Sequence, residues 1–341
     1  MRDVERVLVE QLPASWIVRA KPAQSGPIDL AIEVGSEPDR TVTLAVEIKR
    51  SIDPRQIPDA AMQIKALTDR ELPQAKPVIA AGYLSPRSRQ LLEDFEVGYI
   101  DTTGNIRIDA GNLFVQTQGA DKDPWPQDAN LQTLRGRGAG RALRAVIETA
   151  PPFGVRELAS KTDNSPATVS RVLELLEVEG LINREPRGPV LAVDWQDTIR
   201  RWAQDYDQTT SNTATTFLAP RGIPSVEQTL QISKLAYAAT GAFAAQRFNP
   251  IAPARSATIY VDDVAKAVKR LDLRETDAGA NVILLEPFDP VVFDRTIERD
   301  GLRCVAPSQL AADLLTGPGR EPSQGEAILE WMKENQDAWR T

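Results

Sequence analysis

Apolar residues at Val4, Val7, Leu8 and Leu12 recur with helical spacing and predict an opening helix. The period then changes. "PIDLAIEV" and "TVTLAVEIKR" are rich in β-branched residues and predict two strands, joined by the hairpin-type connection "GSEPDR". "PDAAMQIKALTD" predicts a helix with Pro58 in its first turn, and "PVIAAGYL" a buried strand. "SPRSRQLLEDFE" predicts a helix capped by Ser85, with Pro86 in its first turn. "GYIDTTGNIRID" reads as strand, turn at Thr103-Gly104, and strand. Helix, two-strand hairpin, helix, strand, helix, strand is the order of an α/β sandwich around a mixed sheet.

The middle of the chain carries helical periods. "GRALRAVIETA" places Leu143, Val146 and Ile147 on one face, and "GVRELASKTDN" places Val155, Leu158 and Ala159 inward. In "SPATVSRVLELLEVEGLI", Ser165 is an N-cap and Pro166 a first-turn proline. Val169, Val172, Leu173 and Leu176 form the buried face there, and Gly180 ends the helix. "LINREPRGPVLAVD" predicts a strand, a Pro/Gly tip and a strand. Further on, "LQISKLAYAATGAFAAQRF" reads as an apolar helix or helix pair, and "ATIYVDD" and "ANVILLEP" as buried strands. "VDDVAKAVKRLDL", "APSQLAADLL" and "GREPSQGEAILEWMKEN" read as helices, the second with Ser308 near its start.

Two stretches interrupt these patterns. "GADKDPWPQDAN" at 119–130 reads as a linker, and the Thr-rich "YDQTTSNTATT" at 206–216 as a second loop or hinge. The expectation is an α/β multidomain protein with segments at 1–120, 131–207 and 215–341. A length of 341 residues, too long for one ordinary core, agrees with that division. Apolar and charged fractions of 42% and 26% are those of a globular protein. The charged start lacks a signal-peptide pattern, and no apolar run reaches membrane-spanning length. One cysteine, Cys304, sits among apolar neighbours as a buried structural thiol. These features point to the cytoplasm and to no membrane partner.

The most restrictive count is 0 histidines. It removes Ser-His-Asp and Cys-His nucleophilic sites, and with one cysteine it removes tetrahedral zinc. Metal chemistry must then use oxygen ligands, which points to Mg²⁺, Mn²⁺ or Ca²⁺. The end of "TVTLAVEIKR" is a candidate. Glu47 and Lys49 project to the same face of a strand whose hairpin partner carries Asp29. Two carboxylates meeting at a strand end suit a hard cation, with a lysine beside it to stabilise phosphorane charge. The alternative is a solvated salt-bridge cluster at a strand edge.

Pro27-Ile28-Asp29 followed by Glu47-Ile48-Lys49 resembles the PD-(D/E)xK nuclease superfamily, whose fold is the restriction-endonuclease-like α/β/α sandwich. Ile28 is one residue more than the usual spacing. The resemblance covers roughly the first 118 residues. It implies a Mg²⁺ (or Mn²⁺) site held by Asp29 and Glu47, with Lys49 and Gln63 as further catalytic residues. Glu5 or Glu10 would supply an additional acid. Related domains also serve as inert binding platforms.

The middle segment, 135–194, resembles the winged helix-turn-helix of bacterial regulators. That implies double-stranded DNA as partner, with the second helix of the turn motif in the major groove. Arg171 is the candidate for a bidentate guanine contact, and Ser165, Thr168 and Ser170 for base or phosphate contacts. Arg184 and Arg187 sit on the wing, and Arg135, Arg137, Arg141 and Arg144 precede or start the first helix. Residues 134–172 hold seven basic and three acidic side chains, a local +4 in a chain of net charge -8.

In the last segment, "AATGAFAAQRFNP", "IYVDD", "GANVILLEPFDPVVF" and "VAPSQLAADLLTGPGR" resemble the C-terminal domain of AbiEi-type antitoxins and related regulators. "GYIDTTGNIRI" resembles a phrase in their larger relatives. The resemblance implies an operon-binding repressor in a toxin–antitoxin or phage-defence setting, with a neighbouring-operon toxin as a second partner. Winged-helix regulators often act as homodimers. Asp262, Asp263, Glu286 and Asp289 form a possible acidic group, but Asp262 or Asp263 fits a helix cap and Asp289 a turn cap. Three readings stand side by side: a DNA-binding regulator, a Mg²⁺-dependent endonuclease targeted by the winged helix, and an antitoxin that blocks a partner protein directly.

Overall fold

The computed structural model describes residues 2–22, 28–37, 41–111, 113–125, 133–186, 188–249, 254–276 and 278–341. They form two compact units, one of Met1–Ala129 with Glu177–Gly180, the other of Asn130–Leu176 with Leu181–Thr341.

In the first unit the order is α1 (Arg2–Gln11), β1 (Ile17–Pro22), β2 (Leu30–Gly35), β3 (Thr41–Ile48), α2 (Ile57–Glu71), β4 (Lys76–Ala81), α3 (Pro86–Asp94), β5 (Gly98–Asp101), β6 (Ile106–Asp109) and β7 (Phe114–Thr117). The strands lie in one sheet in chain order. β1 to β3 are antiparallel, β3 to β5 parallel, and β5 to β7 antiparallel. Alternation along each strand serves two cores. Leu30, Ile32, Leu44 and Val46 pack with Val4, Val7, Leu8 and Leu12 of α1. Ala45 and Ile79 pack with Ile57, Ala61 and Ile64 of α2 and Leu92 of α3. The result is a mixed sheet between helical layers. Ser85 caps α3, accepting from Ser88 N at 3.1 Å.

The expected two-strand hairpin is a three-strand meander. β1 pairs along its whole length with β2, from Ile17↔Gly35 to Pro22↔Leu30. As an edge strand it buries little, so its sequence carries a faint apolar pattern. Glu5 and Glu10 ride on α1, on the face of the sheet opposite the one to which Glu47 projects.

The second unit runs α4 (Arg137–Glu148), α5 (Val155–Thr162), α6 (Pro166–Val178), β8 (Ile182–Arg184), β9 (Val190–Val193), α7 (Trp195–Ala203), β10 (Thr213–Leu218), α8 (Ile223–Ile232), β11 (Tyr237–Thr240), α9 (Gly241–Ala245), β12 (Ala257–Val261), α10 (Val264–Leu271), β13 (Arg274–Glu275), β14 (Val282–Glu286), β15 (Ile297–Arg299), β16 (Leu302–Cys304), α11 (Pro307–Leu315) and α12 (Glu321–Glu334). β8 and β9 form a separate wing, and the other strands form a sheet ordered β13-β10-β14-β12-β11-β16-β15.

One hydrophobic core runs through this unit, from Leu143 and Leu173 of the helix-turn-helix to Ile259, Leu284 and Leu310 around the sheet. The stretch 206–216 is therefore no hinge. Tyr206 is buried, with its hydroxyl 2.9 Å from that of Tyr260 and 2.7 Å from Asp313 Oδ1. Asp207 gathers the amides and hydroxyls of Thr209 and Thr210 into a turn, and Thr213 starts β10. "LQISKLAYAATGAFAAQRF" also departs from expectation: it holds the end of α8, strand β11 and the short α9. A short run buried at every position does not distinguish a central strand from a buried helix. Asp263 caps α10 through Lys266 N at 2.9 Å, and Asp289 caps a turn through Val291 N at 2.9 Å, as their positions suggested.

Cys304 has no exposed surface, and burial pushes its thiol up to about 12. At pH 8 the thiolate fraction is then about one in ten thousand. Native protein is expected to resist aromatic-disulfide reagents at pH 8 and to react fully after unfolding. Rapid native labelling would contradict the burial.

Candidate nucleic-acid interface

α5 and α6 are separated by the turn Asp163-Asn164-Ser165, where Asp163 adopts the left-handed conformation at φ 51°. Asn164 braces the turn by donating to Gly138 O and to Thr162 Oγ1, each at 3.0 Å. Ser165 caps α6, accepting from Thr168 N at 3.1 Å, and its hydroxyl lies 3.0 Å from Thr168 Oγ1. Val169, Val172, Leu173 and Leu176 point inward. Pro166, Ala167 and Arg171 are exposed, while Thr168 and Ser170 are half-buried. Ser170 Oγ donates to Glu174 Oε1 at 2.9 Å. Behind the helices stands the wing, joined at Val190 by a bridge from Phe153.

The basic residues divide into two groups. Arg144 is buried, 2% exposed, and bonds Glu148 through Nε at 3.0 Å and Nη2 at 2.9 Å. It also donates to the carbonyls of Val291 and Asp294, and Ser308 Oγ donates to Glu148. Arg141 Nε spans both oxygens of the buried Asp289, at 3.0 and 2.9 Å. These two arginines hold the helix-turn-helix to the C-terminal part of the unit, and Arg144 is buried away from any phosphate-facing surface. Their spacing held a clue: Arg144 and Glu148 stand four apart, the distance of helix ion pairs. Lys161 pairs with Glu157 at 2.8 Å. Arg135 is 71% exposed and only 3.8 Å from Asp205. Arg137, Arg156 and Arg171 are exposed and have no ion pair among the described residues. Arg184 lies in β8 with partners inside the chain, and Arg187 falls outside the described residues.

In the first unit, Asp29 and Glu47 meet at the end of the β2–β3 ladder. Asp29 N donates to Val46 O at 3.1 Å, and Asp29 Oδ2 accepts from Ile48 N at 2.7 Å. Lys49 Nζ lies 2.5 Å from Glu47 Oε1. Gln63 is exposed on α2, without a hydrogen bond to this trio among the described residues, and Pro27 lies outside them. Glu47 Oε2 is buried with no hydrogen-bond partner. A hard cation or its water would satisfy that atom. No cluster of three or more acidic ligands occurs among the described residues. The pair would hold Mg²⁺ through two carboxylates and leave its other positions to water and phosphate, an ordinary arrangement for that ion.

Residues 192–332 match the family model described as transcriptional regulator, AbiEi antitoxin, type IV TA system. Residues 139–186 match the IclR helix-turn-helix domain. Neither match reaches residues 1–129. No curated protein and no solved structure matches the chain. The chain thus carries an IclR-type helix-turn-helix next to an AbiEi antitoxin domain, and both support a DNA-binding regulator or antitoxin. Among the described residues, no helix is long and apolar enough to cross a membrane.

Removing one partner of a buried ion pair strands the other. Arg144→Met is expected to destabilise the second unit by about 3–5 kcal/mol in urea unfolding followed by tryptophan fluorescence. The double change Arg144→Met with Glu148→Leu should recover part of that loss. A single change costing under about 1 kcal/mol would show that the guanidinium is not buried.

Proposed function

We propose that this chain is a sequence-specific DNA-binding regulator of the antitoxin kind that represses its own or a neighbouring operon. α6 lies in the major groove, and exposed Arg137 and Arg156 contact phosphates. One observation carries the reading: Arg171 stands exposed on the solvent face of a capped helix in a helix-turn-helix, with no carboxylate paired to it among the described residues. A protein toxin encoded nearby is the second partner, reached through the AbiEi domain. Two copies bind a two-fold operator, and the setting is toxin–antitoxin control or phage defence.

Arg171→Ala is expected to lower affinity for the upstream operator by about 1–3 kcal/mol, roughly fivefold to 150-fold, and to relax preference at one guanine. Unchanged affinity and preference in a binding titration would remove α6 as the reading helix.

A second reading draws on the unpartnered Glu47 Oε2 beside Asp29 and Lys49. Helix, three strands, helix, strand, as in α1 to β4, supports a restriction-endonuclease-like first unit. In this reading the unit binds Mg²⁺ or Mn²⁺ and cuts DNA delivered by the winged helix. Bound there, the cation would supply Lewis-acid stabilisation of a phosphate oxygen. The chain's own part is to hold two carboxylates at a strand end and an ammonium beside them. Calorimetry is expected to show Mg²⁺ binding that Glu47→Gln weakens at least tenfold, with a Mg²⁺-dependent nicking of supercoiled DNA that Lys49→Ala abolishes. Binding absent from the natural protein would end this reading and leave the regulator untouched.

A further inference from the structure

The exposed face of α6 is chemically sparse, and that sparseness limits what it can read. The Ser170 hydroxyl has one proton, and Glu174 Oε1 takes it at 2.9 Å. Ser165 and Thr168 share one hydrogen bond between their hydroxyls, which takes one of their two protons, and Ser165 Oγ also accepts Thr168 N. Asn164, the one amide side chain near the helix start, gives its donors to Gly138 O and Thr162 Oγ1. No asparagine or glutamine stands on α6 itself, so the bidentate adenine contact has no supplier there. Of the exposed residues at the start of α6, Ser165, Pro166, Ala167 and Arg171, the last two carry the free methyl and the guanidinium suited to base edges. Ser170 draws the Glu174 carboxylate to itself, and no Arg171–Glu174 ion pair forms among the described residues.

Residues four apart share a helix face, about 6 Å apart along the axis. Long helical side chains lean toward the N-terminus, which brings the guanidinium back toward Ala167. Stacked base pairs are spaced about 3.4 Å, so the two groups fall on adjacent or next-adjacent pairs. A guanidinium matches guanine O6 and N7, and a small apolar side chain matches the C5-methyl of thymine.

We propose that α6 selects a guanine with a thymine methyl within two base pairs of it, Arg171 reading the guanine and Ala167 the methyl. This rests on α6 being the reading helix, and the experiment separates the two ideas. The full chain is used to select its preferred duplex from a random library. Binding is then measured to that duplex and to copies with single thymines replaced by deoxyuridine or single guanines by 7-deazaguanine. For the natural protein, one deoxyuridine is expected to cost about fourfold, the worth of one buried methyl, and a 7-deazaguanine within two pairs of it at least fivefold. Ala167→Gly should lose the deoxyuridine effect and keep the other, which also shows that it is folded. Arg171→Ala should show the reverse pattern. If deoxyuridine is silent at every thymine, or acts equally on Ala167→Gly, the proposal is overturned while the regulator reading stands. If no duplex is selected, or Arg171→Ala selects the same one with equal affinity, both fall.

Discussion

A guanidinium with 2% exposure has no water to turn to, so every proton it carries needs an acceptor in the protein. Around Arg144 those acceptors come from two directions. Glu148 lies one turn along the same helix, and the carbonyls of Val291 and Asp294 come from the segment after β14. Glu148 in turn takes the proton of Ser308 at the start of α11, and Arg295 donates to the Glu148 carbonyl at 3.2 Å. The Arg144–Glu148 bonds lie within α4, but the full set is satisfied only when α4 and the C-terminal segment are both folded. The helix-turn-helix is therefore not a bead on a string. It shares a core and a buried charge network with the AbiEi domain.

The same logic recurs at a second polar centre. Burial raises the Asp313 carboxyl above the usual carboxylate range, while the Thr240 and Tyr206 hydroxyls, the Gln309 amide and the Tyr260 hydroxyl pull it back by donating to it. Tyr206 comes from the connection after α7, Thr240 from β11, Tyr260 from β12 and Asp313 from α11. One carboxylate thus ties the connection out of the winged helix to the middle of the sheet. In the first unit Asp101 does comparable work. It accepts from Leu84 N, Thr103 N and Asn105 Nδ2 at 3.1, 2.9 and 2.8 Å, while Asn105 Oδ1 takes Gly119 N at 2.8 Å. The start of the supposed linker is thereby fastened to the first unit. "GYIDTTGNIRID" is a knot of this kind, which explains its polar residues without assigning them a ligand.

The sequence revealed what depends on local period and local chemistry. Helix caps at Ser85, Ser165 and Asp263, the wing, the buried thiol and the inward face of α6 all follow from residues near each other in the chain. What depends on distant partners was hidden. The Thr-rich stretch after Tyr206 looks like a hinge until Tyr260 and Asp313 are brought to it, and β1 is weakly patterned because one of its edges faces solvent. The helix α7, capped by Asp194 through Asp197 N at 3.2 Å, follows the wing strand directly and was given no element from the sequence. For the site, the Asp29, Glu47 and Lys49 juxtaposition was legible because strand pairing fixes register, whereas the fate of each arginine was not.

That fate alters the electrostatics of DNA binding. Counted from sequence, 134–172 carries a local +4. Arg141, Arg144 and Lys161 are committed to Asp289, Glu148 and Glu157, and Arg135 lies 3.8 Å from Asp205, which leaves Arg137, Arg156 and Arg171 as the cations with no ion pair among the described residues. Two phosphate contacts, from Arg137 and Arg156, correspond to a salt slope of about -1.8, a shallow dependence beside that of strongly basic repressors. Net charge of -8 on the whole chain weakens non-specific association further. With so little general attraction to DNA, the regulator proposed above would depend on base-edge contacts for most of its affinity. A recognition face whose base-reading groups are one guanidinium and one methyl gives a monomer little affinity, and that shortage is the physical argument behind proposing a two-fold operator.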